Sequence, residues 1–394
     1  MTQTRVAIVG GRLQGIEAAY LCSKAALSTV LIDKDHDPPA KGLCEEFHQI
    51  NVVAKPEKAK QALRQCDAVL PANEDPLTLR ALYKLCHALQ IPFMQDNDAF
   101  WLTSDKRKSM QLFRKSRIST PRTWPESGFP VVVKPSNRSG SESVYRADNN
   151  AQLKKALEDV SRVDNQPIVQ EFVEGKALSL EVISRKGIGH PLQITGLEFD
   201  ETYGCKRVYA PVEISPHLGQ RIRTIGAKIA RNLELNGLVD VQALLERSTP
   251  KVNEINARLP SQTPSVVYHS TEVNMAELLV RLFVNDEMPR IEIRAQRAVV
   301  YQHVKVLGKE LRVQGEHVMT DATGLELKRE FFGADEAITN LELHGESTNK
   351  VATLIVRSQD LPTAFKKMAK VVENIMREYR LESFADPTPG ECYA

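Results

Sequence analysis

The sequence predicts an α/β protein that opens on a parallel sheet and continues as an α+β body. Three observations predict this. Short β-branched runs alternate with helix-patterned runs over the first hundred residues. The stretch "RVAIVGGRLQGIEAAYL", Arg5 to Leu21, passes from an apolar strand through glycines into an alanine-rich helix. Beyond Ser104 this alternation gives way to apolar runs joined by short polar turns.

Each element follows in order. "RVAIVGG" is a buried strand, "QGIEAAYLCSKA" has helical spacing, and "STVLIDKD" is a second strand ending in Asp33. "DAVLPANED" is a third strand closed by polar residues and Pro76. "LTLRALYKLCHAL" is a helix with Pro92 just beyond it. Strands joined by helical crossovers imply a parallel, Rossmann-like sheet, whose ligands lie outside the carboxyl ends of the strands. Those ends carry Gly10–Gly15, Asp33 and Glu74.

"SDKRKSMQLFRKSR" is a basic helix with Ser104 or Asp105 as its N-cap. "FPVVVKPSNRSGSESV" is a strand, a polar glycine loop and another strand. "QPIVQEFVEGKALSLEVIS" is two short strands around a Glu174–Gly175 turn. "GLVDVQALLE" and "KVNEINARL" form an antiparallel pair, and "NMAELLVRLFV" is an amphipathic helix. From Arg294 the chain turns β-rich, with a helix at Thr363–Tyr379 and a tail, "FADPTPGECYA", expected to be disordered. The expected domains are 1–100 (Rossmann-like), 101–293 (with a lid at about 115–185) and 294–394 (β-rich, with the last helix and tail).

Composition removes several function classes. The chain has 394 residues and a formal net charge of +2, so no basic field recruits nucleic acid or an anionic membrane. No apolar run approaches the roughly 18–20 residues that span a bilayer, and the start shows no signal-peptide pattern. The six cysteines are scattered without a C-x-x-C pair, which suits reduced thiols in the cytoplasm.

The chemistry concentrates in "LVDVQALLERSTPKVNEINARLPSQTP". Asp240 sits among apolar residues on a strand, and Glu254 and Asn256 leave one face of the next strand. If the strands pair, these three oxygen donors converge, a set that suits Mg²⁺ shared with phosphate oxygens. Solvated polar residues on a half-exposed hairpin are the plainer alternative. Against it, isolated buried carboxylates are costly. Arg258 follows on the same face and can clamp a carboxylate or stabilise an oxyanion. "LPSQTP" is expected to be a non-helical loop offering Ser261, Gln262 and Thr263 to a polar ligand. Lys134 ends a strand of valines before a glycine–serine loop able to fold N–H groups around a phosphate, and Lys106 lies at a helix start. Taken singly, each lysine reads more readily as a solvated side chain than as a phosphate contact. In "VQEFVEG", Gln170 to Val173 can offer backbone groups to an adenine edge, with Glu171 accepting from its amine.

The order Lys106, Lys134 with its loop, Glu171–Val173, Asp240, then Glu254-x-Asn256-x-Arg258 resembles the ATP-grasp superfamily. Within it, "VAIVGGRLQGIEAAYL", "DAVLPANE", "VEGKALSLEV", "DETYGC" and "INARLPSQTPSVVYHS" look like the ligase family of pyrrolysine biosynthesis, over most of residues 5–285. The chain departs from that family at Gln242, Asn256 and Gln302, where acidic residues are expected.

The resemblance implies an ATP- and Mg²⁺-dependent ligase. It would join the carboxylate of (3R)-3-methyl-D-ornithine to the ε-amine of L-lysine through an acyl phosphate. Asp240, Glu254 and Asn256 would hold the metal, Lys106 and Lys134 the phosphates, with Ser141 closing over them, and Gln170, Glu171, Phe172 and Val173 the adenine. Arg258 would orient the acyl acceptor. Ser179, Leu180 and Glu181, with Ser261, Gln262 and Thr263, would shape the ornithine pocket, and Gln302 would approach a substrate amine. The N-terminal crevice of Arg12, Leu13, Gln14 and Glu74 is a candidate entry for the lysine, with Glu74 reading equally as a turn cap. The β-rich region from Arg294 can supply a homodimer surface.

The alternatives are an ATP-grasp ligase or carboxylase on another acid, a nicotinamide-dependent dehydrogenase and a non-catalytic ATP-binding module. The dehydrogenase draws on the opening glycines and on Asp33, which stands where a ribose-binding acid would and is a candidate cofactor contact. A dinucleotide fingerprint needs glycine at its first, third and sixth positions, and in "GGRLQG" the third is Arg12.

Overall fold

The computed structural model describes residues 3–138, 143–288, 290–341 and 350–389. Its contacts group the chain into two units. One is Met1–Gln95, Lys206–Pro211 and Leu259–Pro387; the other is Asp96–Cys205, Val212–Arg258 and Thr388–Ala394.

The first unit opens with β1 (Arg5–Val9), α1 (Leu13–Lys24), β2 (Ser28–Asp33), β3 (Glu46–Gln49), α2 (Pro56–Leu63), β4 (Ala68–Pro71) and α3 (Pro76–Leu89). The strands pair in parallel in the order β3-β2-β1-β4. The expectation had missed β3, because "EFHQ" is a half-exposed edge strand without an apolar run. The glycines after β1 serve close packing. A Cβ on Gly10, at φ +108°, would lie 2.4 Å from Ala72 O, and one on Gly15 would lie 2.2 Å from Gly10 O. Asp33 Oδ2 accepts from Gly11 N at 2.6 Å and Oδ1 from Asp35 N at 2.8 Å, so this carboxylate ties the glycine loop after β1 to the turn after β2.

The second unit begins with α4 (Asn97–Thr103), α5 (Lys106–Lys115), β5 (Val131–Lys134), β6 (Tyr145–Ala147), α6 (Asn150–Val160), β7 (Ile168–Glu171), β8 (Ala177–Arg185) and β9 (Ile188–Phe199). After β10 (Cys205–Ala210), almost wholly in the first unit, it resumes with α7 (Pro216–Asn232), β11 (Gly237–Glu246) and β12 (Thr249–Asn256). The strands β6-β5-β7 make a small antiparallel sheet, with α6 packing on the Val131–Val133 face. β12-β11-β8-β9 make the larger antiparallel array. The two strands around Glu174–Gly175 therefore belong to different sheets. Beneath the larger array α7 buries Leu218, Ile222 and Ile229 against Leu180 and Val182.

The first unit closes with α8 (Thr263–Thr271), α9 (Met275–Phe283), β13 (Ala298–Leu307), β14 (Glu310–Val313), β15 (Glu326–Arg329), β16 (Glu336–Thr339), β17 (Val351–Ser358), α10 (Leu361–Glu378) and β18 (Ser383–Ala385). β13, β17, β16 and β15 pair antiparallel, and α10 covers Val300, Leu354 and Val356. The expected disordered tail needs correction up to Pro387. β18 pairs with β14, and Asp386 meets Lys206 at 2.5 Å and Arg207 at 2.6 Å. Two cations, one of them fully buried, supply an anchor that tail composition does not reveal. Residues 390–394 lie outside the described residues.

Candidate active site

The site is built on β8, β11 and β12. Their register sets Glu181 opposite Asp240 and Asp240 opposite Asn256, and, two residues along, Ser179 opposite Gln242 and Gln242 opposite Glu254. Side chains two apart share a face, so six polar side chains form two adjacent rows. The intervening Leu178, Leu180, Val182, Val239 and Val241 fill the core on the opposite face. Leu180, expected beside the ligand, is thus a core residue. Strand alternation turns it away from Ser179 and Glu181.

Asp240 is the centre of the patch. Its Oδ1 accepts from Ser179 Oγ at 2.5 Å, and its Oδ2 accepts from Gln242 Nε2 at 3.0 Å and Asn256 Nδ2 at 3.3 Å. Burial pushes its carboxyl above the usual range, against the pull of Ser179, Arg258, Gln242 and Asn256. Among the described residues no group of three or more His, Cys, Asp and Glu is arranged to hold a metal. The candidate trio is instead two carboxylates and an amide. Such hard oxygen donors fit Mg²⁺, which keeps several waters and is completed by phosphate oxygens.

Two lysines approach from the flanking elements. Lys106 is the first residue of α5, whose N-cap Asp105 accepts from Arg107 N. Its Nζ lies 3.1 Å from Glu254 Oε1 and also donates to Arg138 O. Lys134, at the end of β5, is buried and donates to Asn253 Oδ1 at 2.8 Å. Burial pushes its ammonium down to about 8, with Glu254 opposing and Lys106 reinforcing the shift. Asn253 is the extra residue of a β-bulge, since Gln242 pairs with Glu254 but Ala243 with Val252. A bulge re-aims a side chain. Sequence reading missed Asn253 for that reason, and "VNEIN" gives no sign of it.

Other expected residues take different places. Glu171 gives one oxygen to Arg122 N at 3.0 Å and to Lys251 Nζ, and the other to Arg122 Nε at 2.6 Å. These partners replace the adenine amine expected for this carboxylate. Gln170 is buried, its Nε2 3.4 Å from Pro121 O. Phe172 and Val173 follow β7, with Phe172 N donating to Pro130 O. Ser141 lies outside the described residues.

The remaining candidates lie in the first unit. Thr263 opens α8 rather than belonging to a non-helical loop; Ser261 and Gln262 precede it. Pro264 at the second helical position permits that start. Gln262 is buried, its Nε2 2.8 Å from His303 Nε2. Gln302 is buried and accepts from Arg207 Nε at 2.7 Å. Arg12 is exposed, 3.7 Å from Asp35, at the N-cap of α1; Leu13 is the first residue of the helix. Gln14 Nε2 donates to Glu74 Oε1 at 2.7 Å, so these two crevice residues do meet.

This array, with its two lysines and its acidic-and-amide trio, has the make-up of an ATP-grasp protein. The ATP-grasp domain model matches residues 103–262. The chain is 34% identical to the 3-methyl-D-ornithine–L-lysine ligase of Methanosarcina barkeri over 76% of its own length and 79% of the relative's. It superimposes on the biotin carboxylase domain of Hydrogenobacter thermophilus 2-oxoglutarate carboxylase with a TM-score of 0.74 at 15% identity, over 95% of this chain and 90% of that one. With the L-amino acid ligase of Bacillus licheniformis the TM-score is 0.67 at 17% identity, over 95% and 98% of the two chains. The chain belongs to the 3-methyl-D-ornithine–L-lysine ligase family.

Proposed function

We propose that this ligase uses ATP to join the carboxylate of 3-methyl-D-ornithine to the ε-amine of L-lysine. The observation that carries the reading is the convergence of Asp240, Glu254 and Asn256 on one sheet face, with Lys106 at Glu254 and Lys134 on the neighbouring Asn253. The family's name supplies the two amino acids.

The substrate carboxylate attacks the γ-phosphorus and ADP departs, leaving an acyl phosphate. The neutral ε-amine then attacks the acyl carbon, phosphate leaves, and the nitrogen loses a proton. Both steps build negative charge, so the site must hold fixed positive charge away from water. Lys106 and Lys134 supply it at the phosphates. Asp240, Glu254 and Asn256 would hold Mg²⁺, which when bound neutralises phosphoryl oxygens. Arg258, just beyond β12, orients the acyl group and meets the oxyanion. Glu181 selects the ornithine ammonium, held beside Asp240 by Ser179, which reaches both carboxylates at 3.0 and 2.5 Å. Phe172 and Val173 line the adenine with their backbone, and the β6-β5-β7 sheet with α6 forms the lid. Arg12, Gln14 and Glu74 receive the nucleophile lysine.

The test is a product mass. Purified enzyme with ATP, Mg²⁺, D-ornithine (an available analogue) and L-lysine yields the condensed amide, with ADP release requiring both amino acids. ADP release that needs only one amino acid, or no amide, removes the reading. A panel of other acids separates the carboxylase alternative.

A further inference from the structure

We propose that the first unit carries a second small-molecule site, a pocket for a free α-amino acid beside α8. A cavity of about 210 Å³ is lined by residues that include Lys24, His269, Glu272, Arg294, Arg297 and Arg357. It is smaller than the roughly 300–1,000 Å³ of nucleotide- or drug-sized pockets, so its ligand is small.

The donors and acceptors around it define that ligand. Lys24 Nζ donates to Glu336 Oε1 at 2.5 Å, and Tyr20 Oη donates to Glu336 Oε2 at 2.6 Å. The Tyr20 oxygen also lies 2.5 Å from His269 Nε2. A phenol has one proton, and Glu336 receives it. The His269 contact is therefore Nε2–H donating to the Tyr20 oxygen. Burial keeps this histidine neutral, its pKa lowered to about 4. A neutral imidazole with hydrogen on Nε2 has a bare acceptor at Nδ1, and that atom is buried with no protein partner. The cavity thus asks for a hydrogen-bond donor; its two lining carboxylates already pair through Oε1, Glu272 with Arg297 at 3.0 Å and Glu277 with Arg281 at 2.5 Å, so an ammonium would share them rather than neutralise free acids.

The same cavity asks for an anion. Arg357 stands 3.6 Å from Asp335, which Lys367 holds more closely at 2.6 Å, and Arg294 stands 3.4 Å from Glu292. Both separations exceed the about 2.7–2.9 Å of a strong charge-assisted bond, and each guanidinium carries five N–H donors. A carboxylate alone leaves the bare His269 Nδ1 without a donor, and an amine alone leaves Arg294 and Arg357 without a close anion. A molecule with an ammonium and a carboxylate a few bonds apart satisfies both sides.

This site does not depend on the ligase reading, and its test uses no ATP. Glycine is the probe, with acetate and methylamine as its two halves. The full-length protein carries ¹⁵N-labelled histidine rings, and His269→Gln assigns the signal. Glycine is expected to shift the His269 ring nitrogens at concentrations where neither half does. Arg357→Ala should weaken that response about tenfold or more. Arg294→Gln, at an exposed position, should weaken it in the same direction even if the first variant folds poorly. Glu254→Gln, in the other unit, should leave it unchanged. A flat His269 signal, an equal response to acetate alone, or unaltered affinity in both arginine variants overturns the proposal.

Discussion

The Ser179 hydroxyl stands 2.5 Å from Asp240 Oδ1 and 3.0 Å from Glu181 Oε1, bridging two buried carboxylates across β8 and β11. One of these acids is proposed to hold metal and the other to hold substrate. The single hydroxyl proton goes to the shorter contact, so Ser179 orients Asp240 and keeps Glu181 beside it. Ser179→Ala removes the hydroxyl without changing the strand. Groups that orient a metal ligand are worth about 10–100-fold in metal affinity. Titrating Mg²⁺ against ADP release should show a loss of that size with the melting temperature nearly kept. An unchanged Mg²⁺ dependence would mean that Ser179 is only a packing residue.

Asp240→Asn and Glu254→Gln keep shape and remove charge. Each should lower kcat by about 100-fold or more, the scale seen when one preorganised electrostatic contact is lost. Both proteins should still unfold cooperatively. Asp240→Asn should even gain stability, because burial already disfavours its charged form. Normal turnover in either variant would displace the metal assignment.

Asn253→Ala tests the bulge. Its amide oxygen accepts from the buried Lys134 ammonium at 2.8 Å. Losing a hydrogen bond to a charged group costs about 1.5–3 kcal/mol. The KM for ATP should rise about 10–100-fold, and Asn253→Asp should restore part of it by keeping an acceptor. The measurement is initial rate against ATP at saturating amino acids. Equal KM values across the three proteins would separate Lys134 from the nucleotide.

Much of this geometry was legible in the sequence, and the reason is local pattern. Alternation on either side of Asp240 and the two-residue spacing of Glu254 and Asn256 fix which side chains share a face. Asp105 before a basic helix is a local cap signal, and it is the cap. What failed to show has a different cause. Leu180 lies between two polar residues, and assigning a contiguous stretch to a pocket ignores that strands alternate. Glu171 meets Lys251, 80 positions away, and Lys206 meets Asp386, 180 away. No local pattern carries such pairings, and only the folded sheet order creates them.

Glu17 of α1 shows the same effect in a form that pH can read. It accepts from Ser265 N at 2.6 Å, capping α8 across 248 positions where Gln262 offers no side-chain cap. Burial pushes its carboxyl up to about 7 from the usual 4.5. Between those values the folded state binds the extra proton, so this group's contribution falls as pH rises from about 4.5 to about 7. The full swing is about 3 kcal/mol. His269 and His303 work the other way, since their lowered values cost stability as pH falls below about 6.5. Glu17→Gln isolates the first contribution. Urea unfolding across this range should show the wild type losing stability relative to the variant as pH rises. Parallel pH curves would mean that Glu17 titrates as it does unfolded.

The C-terminal anchor yields the sharpest stability prediction. Lys206 is 1% exposed, and its ammonium meets Asp386 Oδ1 and Pro387 O, both at 2.5 Å. Burial alone would raise the Asp386 carboxyl, but Arg207 and Lys206 hold it below the usual range. Asp386→Ala leaves a buried ammonium without its counter-ion. Breaking such a pair from one side costs about 3–5 kcal/mol. Asp386 is partly exposed, so the lower end applies. Removing both charges should cost less than removing one, because a desolvated ion is worse than an apolar side chain of similar volume. Lys206→Met with Asp386→Ala should therefore recover much of the loss. Urea unfolding of the four proteins gives the coupling directly. If Asp386→Ala stays within about 0.5 kcal/mol of the parent, the size of an ordinary surface substitution, the tail is not an anchor. The acid limb adds an independent check. A carboxyl lowered on folding stabilises above its unfolded value and loses that contribution as pH falls. Asp386→Ala should accordingly flatten the wild type's loss of stability below about pH 4.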